Sequence, residues 1–316
     1  MPRILAVGGA HIDRKGWLDA PHRPGASNPG HWRAEPGGGV FNAARNLARL
    51  GHQVTLVAPR GGDGAAATVA QSAAQAGIED CPLTFLDRAT PSYTAILEPD
   101  GNLVTALADM ALYELVPARR LITSRFLARL DRADLLLADA NLPEDSLSAL
   151  CEAARQRTIP VAAIAVSPAK VVRWQASLPA LTLLAMNIAE AATLTGHPLL
   201  QVQPGLRAEA VAKALMQIGL VGGMISDGSG PVMAFAESEI LSFSPPPLAH
   251  LADVTGAGDA LASGFIDGWL AGGSLASNLA RGIALARLTL EAVGPVRQDL
   301  SAALLAQTLA AMPEPG

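Results

Sequence analysis

Asp253-Val254-Thr255-Gly256-Ala257-Gly258-Asp259-Ala260 runs directly into the helical pattern Leu261-Ala262-Ser263-Gly264-Phe265-Ile266-Asp267-Gly268. Thr255 stands where an N-cap residue would stand. The N–H groups of Gly256, Ala257 and Gly258 would then point outward from a helix start. Unpaired donors and the helix dipole both favour an anion there, and glycine lets a phosphate approach the backbone. Asp259 lies beside this anion site, where a carboxylate is unfavourable unless it has a task. Taking the proton of a hydroxyl that attacks the phosphate is such a task. A helix start should favour the ionised form, so Asp259 is expected to be a weak base. Ala260, Gly264, Gly268 and Gly272 recur every four residues, a smooth ridge expected to press this helix against a sheet.

A bare Gly-x-Gly at a capped helix start is common by chance. The longer string is more specific, and a second glycine cluster accompanies it. Pro36-Gly37-Gly38-Gly39-Val40-Phe41-Asn42-Ala43-Ala44-Arg45-Asn46-Leu47-Ala48-Arg49-Leu50-Gly51 opens a helix on glycines and closes it on Gly51. Asn42 falls on the first turn, where its amide can hold a hydroxyl.

These two stretches resemble the two signatures of the PfkB (ribokinase-like) carbohydrate and nucleoside kinases. The first is similar to D-T-x-G-A-G-D, with Val254 at the usual threonine. The second follows G-G-x-x-x-N-x-A-x-x-L-x-x-L-G through Gly38, Gly39, Asn42, Ala44, Leu47, Leu50 and Gly51. The resemblance implies a single α/β domain over 1–316, a three-layer, doubly wound, mostly parallel sheet, with a small β-sheet lid. It also implies transfer of the ATP γ-phosphate to a hydroxyl, with Asp259 as base and Gly256, Ala257 and Gly258 as the anion hole.

The remaining chain is consistent with that architecture. Arg3 to Val7, 54–58, Leu135 to Asp139, 161–166 and 181–186 read as buried strands. Helical patterns alternate with them at 63–76, 144–157, 169–174, 188–194, 207–218, 256–271, 275–290 and 299–311. Residues 14–36 have little periodicity and are too long for an idle loop. The 90–97 and 103–107 runs flank Pro99-Asp100-Gly101-Asn102, a hairpin turn. Together, 14–36 and 90–110 form the expected lid. Runs 232–235 and 240–243 follow the Asp227-to-Gly230 turn.

Composition limits the function classes. Charged residues are 16% and the net charge is -5, so no basic nucleic-acid footprint exists. The two cysteines and six histidines have no metal-ligand spacing. No apolar run is long enough to span a membrane, and no signal peptide opens the chain. A cytoplasmic enzyme with a small-molecule nucleoside or sugar substrate is expected, with no nucleic-acid or membrane partner.

Several residues acquire roles through the resemblance. Asp13, beyond the first strand, and Asn28, Gly38, Gly39, Asn42 and Asn141 are expected to bind the substrate. Asn187 and Glu190 match N-x-x-E, which orders Mg2+ through water; they also form a capping-box pattern. Ser226, Gly228 and Gly230 align with a T-x-G-x-x-G nucleotide loop, although Ile225 and Asp227 replace its threonine and first glycine. In many relatives carbonyls around the D-T-x-G segment and near the last helices hold a monovalent cation such as K+, and Asp253 and Thr255 fit the first half of that site. Lys170 and Arg287 are candidate phosphate or substrate partners, or ordinary surface charges. Relatives often dimerise through the lid, so a homodimer is expected.

Ser27-Asn28-Pro29-Gly30, Ser92-Tyr93, Asp109-Met110, Ala138-Asp139-Ala140-Asn141 and Val166-Ser167 with Lys170 are most like family members that phosphorylate the 5′-hydroxyl of pseudouridine. Ile164 departs from that group, which carries an acid there. A ribokinase- or fructokinase-like sugar kinase, or a non-catalytic binder on the same fold, are the alternatives.

Overall fold

The computed structural model describes residues 1–196 and 207–312. The first half contains β1 (Arg3–Val7), β2 (His11–Leu18), β3 (Gly30–Gly37), α1 (Gly39–Arg49), β4 (Gln53–Val57), β5 (Pro59–Gly61), α2 (Gly64–Gln75), β6 (Glu79–Asp80), β7 (Leu83–Phe85), β8 (Ser92–Leu97) and β9 (Leu103–Asp109). Then come α3 (Ala118–Leu121), α4 (Ser124–Leu130), β10 (Leu135–Asp139), α5 (Glu144–Arg155), β11 (Val161–Ile164), α6 (Pro168–Val171), β12 (Leu183–Asn187) and α7 (Ile188–Thr195). The chain closes with α8 (Arg207–Gln217), β13 (Gly222–Ser226), β14 (Val232–Ala236), β15 (Glu239–Phe243), α9 (Ala257–Leu270), α10 (Leu275–Leu290) and α11 (Ala302–Ala310).

Nine strands form one sheet in the order β15-β14-β13-β12-β11-β10-β1-β4-β6. Pairing is parallel from β6 across to β13, and β14 and β15 add an antiparallel edge. The strands are apolar on both faces because helices cover both. Leu5, Val7, Leu136 and Ala138 enter one core cluster, while their neighbours Ile4, Ala6, Leu135 and Leu137 enter the other. That period-two split is what a doubly covered parallel sheet requires. The chain leaves β1 toward β4 and returns to β10 on its other side. The β1/β10 boundary is therefore the switch point, and a crevice opens beyond their carboxyl ends.

Over the residues expected to form the lid stands a separate four-stranded sheet in the order β3-β2-β8-β9. It begins at His11, three residues before the expected boundary at 14, so Asp13 lies on a lid strand rather than in a loop. Strand β2 escapes a periodicity reading because Arg14 and Gly16 interrupt the apolar side that Ile12 and Leu18 begin and end, while charged Asp13 and Lys15 stand on the other. Strand β11 also ends at Ile164, short of 166, because Val166 has a left-handed φ of 73°. The short helix expected at 169–174 continues as a 3-10 helix over Val172–Ala180.

The α9 glycine ridge packs against α10, not against the sheet. A Cβ on Gly264 would lie 2.5 Å from the Arg281 carbonyl oxygen, and one on Gly268 would lie 2.7 Å from Asn278 Oδ1. Gly282 answers from α10, where a Cβ would meet the Leu261 carbonyl oxygen at 2.7 Å. Small residues on both helices let their backbones touch. Gly272 does not join the ridge; its φ of 77° turns the chain after α9, with open space around it. Among the described residues, no helix is long and apolar enough to cross a membrane.

Gly264→Val should destabilise the protein by about 2–3 kcal/mol through overpacking against backbone. Gly64→Ala, whose Cβ meets open space, should change stability by under about 0.5 kcal/mol. Denaturant unfolding of both variants checks this, and equal midpoints would refute the helix–helix contact.

Candidate active site

Asp139 closes β10, an otherwise apolar strand, and is completely buried. Its carboxylate accepts from Gly9 N (3.1 Å to each oxygen), Val40 N (3.0 Å), Asn141 N (3.0 Å) and Asn141 Nδ2 (3.0 Å). One side chain thus fixes the loop after β1, the start of α1 and the loop after β10. The glycines around it have no room for side chains. A Cβ on Gly8 would lie 2.5 Å from Asp139 Oδ1, and one on Gly9 would lie 2.3 Å from Asn141 Nδ2. Gly38, at φ 114°, would clash with the Gly9 carbonyl oxygen at 2.4 Å.

Helix α1 delivers Asn42, whose Nδ2 donates to Asp259 Oδ2 at 2.7 Å. Arg45, one turn on, donates to Asn42 Oδ1 at 2.5 Å and to the Pro36 carbonyl at 2.8 Å. Arg45 is buried with its guanidinium 4.5 Å from the centre of the Phe41 ring, and burial lowers its pKa to about 10. The relay Arg45–Asn42–Asp259 orients the amide, so its nitrogen faces the carboxylate. Gly39 faces the same carboxylate: a Cβ there would be 3.5 Å from Asp259 Oδ1.

The α9 start differs from the expected cap. Gly256, at φ 77°, is the N-cap, and Thr255 does not cap the helix. Thr255 instead turns back to Asp253 Oδ1, donating from N at 2.9 Å and from Oγ1 at 2.7 Å. Gly256 is required by packing, since a Cβ would lie 2.2 Å from the Pro295 carbonyl oxygen. The first helical bond is Ala260 N to Gly256 O at 2.8 Å, and Ala257 N reaches Val254 O only at 3.4 Å. The Gly258 and Asp259 amides therefore lack helical acceptors. Gly258 is exposed and faces open space.

Asp259 is pushed up to about 7. Burial in the cleft floor is the largest cause; Asp139 and Asp13 add to it, while the Asn42 hydrogen bond and Arg45 oppose it. Desolvation and the neighbouring carboxylates thus act against the ionised form that the helix start was expected to favour.

Other expected residues separate into those at the cleft and those elsewhere. Asp13 lies on the lid underside, 3.3 Å from His11 Nε2, and His11 Nδ1 pairs with Tyr113 Oη at 2.9 Å. Asn141 is buried with its amide committed: Nδ2 to Asp139, and Oδ1 to Lys170 Nζ at 2.6 Å. Lys170 is therefore part of this cluster rather than a free surface charge. Arg287 pairs with Glu291 at 3.1 Å along α10. The Asn28 amide is bonded within its own loop, Nδ2 donating to the Arg23 and Ala26 carbonyls and Oδ1 accepting from Arg23 N. Asn187 and Glu190 form a complete capping box, Glu190 N to Asn187 Oδ1 at 2.9 Å and Asn187 N to Glu190 Oε2 at 2.7 Å. Burial raises the Glu190 pKa. Ser226 ends β13, and Gly228 (φ 56°) and Gly230 make the turn into β14, closed by Gly230 N to Asp227 O at 2.8 Å.

Val166 is a further feature of the rim. A β-branched residue at φ 73° is strained, and it turns the chain from β11 to Ser167, the residue before α6.

Comparison with known proteins places this geometry among sugar and nucleoside kinases. A family model described as pfkB family carbohydrate kinase matches residues 1–301. The chain is 30% identical over 274 residues to the pseudouridine kinase of Escherichia coli, covering 85% of this chain and 84% of that protein. Among solved structures, a carbohydrate kinase from Agrobacterium tumefaciens is 48% identical, with a TM-score of 0.87 and 99% of each chain covered. The Arabidopsis thaliana ribokinase complexed with ribose and ATP shares the fold at 20% identity, with a TM-score of 0.84 and 98% of each chain covered.

Asp139→Asn places an amide among donors and should destabilise the fold by roughly 3 kcal/mol, read by denaturant unfolding. Asp259→Asn should have the opposite effect at alkaline pH. The folded-state pKa of Asp259 is raised, so its stabilising contribution is present below about 4 and is lost as pH rises through about 7. The variant should therefore melt above the wild type at pH 8 and converge with it near pH 4. A melting difference independent of pH would contradict this.

Proposed function

We propose that this chain, which belongs to the pfkB carbohydrate kinase family, is an ATP-dependent pseudouridine kinase that phosphorylates the 5′-hydroxyl. Membership makes it a sugar or nucleoside kinase, a phosphotransferase acting on a hydroxyl of a small molecule. The observation that carries the mechanism is Asp259, held at the floor of the cleft by Asn42 and set beside unpaired helix N–H groups.

In this reading, the acceptor hydroxyl lies between Asp259 and the γ-phosphate of ATP. Asp259, with its pKa near 7, is ionised in a large share of molecules at neutral pH and takes the proton. The Ala257, Gly258 and Asp259 amides face the transferring group and take up its charge. Gly256, whose N–H was also expected at the anion hole, supplies the turn into α9 as well. Asp13, Asn42 and the glycine backbone at Gly38 and Gly39 hold the acceptor sugar, and Lys170, anchored on Asn141, faces the same pocket.

Among the described residues, no group of three or more His, Cys, Asp or Glu could hold a metal directly. A single buried carboxylate with one oxygen used by its cap fits Mg2+ held through water. Glu190 would hold it there with Asn187, and the metal would supply charge neutralisation on the nucleotide phosphates. Ser226, Gly228 and Gly230 provide the turn that lies along the nucleotide. The resemblance to the Escherichia coli pseudouridine kinase, together with an amide rather than an acid at Asn141, favours a neutral nucleoside acceptor. Exposed Trp32, Leu103 and Leu107 on the lid strands fit a homodimer formed through the lid.

ADP release should be seen with pseudouridine and should be at least about tenfold lower in kcat/KM with uridine, ribose and fructose. Ribose or fructose activity alone would replace this reading with a sugar kinase, and ligand binding without turnover would replace it with a binder. Asp259→Asn should lower kcat by about 10³-fold, within the range of a lost general base. The wild-type kcat/KM should rise with pH on an acid limb centred near 7.

A further inference from the structure

We propose that Lys15 is a positioning residue that takes the place of a monovalent cation at the anion-hole loop and couples that loop to the lid. The inference rests on the phosphotransfer reading of residues 256–259. Lys15 Nζ donates to Thr255 Oγ1 and lies 3.6 Å from Asp253 Oδ1. Thr255 Oγ1 spends its own proton on that same Asp253 oxygen, at 2.7 Å, so its lone pairs face the ammonium. The two residues expected to attract K+ are thus already satisfied by a resident charge. The partly open crevice that Lys15, Asp253, Thr255 and Pro295 share with Asp13, Arg33 and Glu35 has about 10 Å³ of room, one water at most. The pair does not fit a further cation.

The placement of Lys15 gives it a second consequence. Asp13 and Lys15 are two residues apart on β2, so both point to the lid underside. Their cross-strand partners are Glu35 and Arg33, which pair with each other. Arg33 is thereby neutralised, and Lys15 carries the charge that reaches the loop. The same rigid strand that presents Asp13 to the acceptor presents Lys15 to the turn that aims the α9 amides. Acceptor binding and anion-hole order are therefore linked through one strand.

The test compares wild type, Lys15→Met and Lys15→Arg in potassium, sodium and choline chloride at equal ionic strength, by steady-state turnover and thermal melting. Wild-type kcat and melting temperature should be the same in all three salts. Lys15→Met should lose about tenfold in kcat, the rate equivalent of one charge-assisted hydrogen bond, with the KM for ATP changed less than about threefold. Potassium should raise both its kcat and its melting temperature. Lys15→Arg should remain salt-independent. A wild type roughly fivefold slower in choline than in potassium, or a Lys15→Met variant with wild-type kcat and no salt response, would overturn the proposal. If no acceptor supports turnover, the function reading fails, and the melting series still decides whether Lys15 replaces a cation.

Discussion

The buried Asp139 carboxylate holds the cleft together. Ionised groups are seldom fully buried without compensation, and here four N–H groups from three segments supply it. Because the donors come from the loops after β1 and β10 and from the start of α1, their satisfaction fixes the relative placement of all three. The glycines at 8, 9 and 38 follow from that closeness, since any side chain would enter the space the carboxylate and its partners occupy. Structural and catalytic demands meet in one place: the network that neutralises Asp139 also carries Asn42 to Asp259.

Charge is organised around that floor in layers. Burial most of all, and then the neighbouring Asp139 and Asp13 carboxyls, raise the pKa of Asp259. Asp139 is held by backbone donors and the Asn141 amide, and Asp13 has His11 beside it. The Asn42 hydrogen bond restrains the rise, and the Arg45 charge adds to that restraint without touching Asp259. At the next loop, burial works against Asp253, but Thr255 and Lys15 overcome it and hold its carboxyl below the usual range. Two carboxylates within one string thus acquire opposite tendencies from their neighbours.

Much of this was legible in the residues. The 3.6-residue and apolar-run patterns located the main strands and helices within a few positions, because a doubly covered sheet leaves continuous apolar strands. The two glycine-opened helices were visible because glycine is demanded by close backbone contact. Lys15 was not visible, since its role depends on reading His11–Leu18 as a strand that charged residues and glycine obscure. Asp139 stood in plain sight as an acid ending an apolar run, yet Asn141 drew the attention; only the packing shows that Asn141 also supports the Asp139 carboxylate. The partner of the α9 ridge was also beyond a one-dimensional pattern, which identifies a smooth face but not what lies against it.

Strand order carries a consequence for how the protein is made. Gly9 and the Asp139 oxygens that hold it are separated by 130 positions in the chain. During synthesis, β1 can pair with β4 early, but its other edge waits until β10 has left the ribosome. Contacts this distant are slow to form because loop closure must precede them. An N-terminal product truncated before β10 would expose a bare central strand edge, a template for aggregation. Completion of the cleft is therefore also the step that covers this edge of β1.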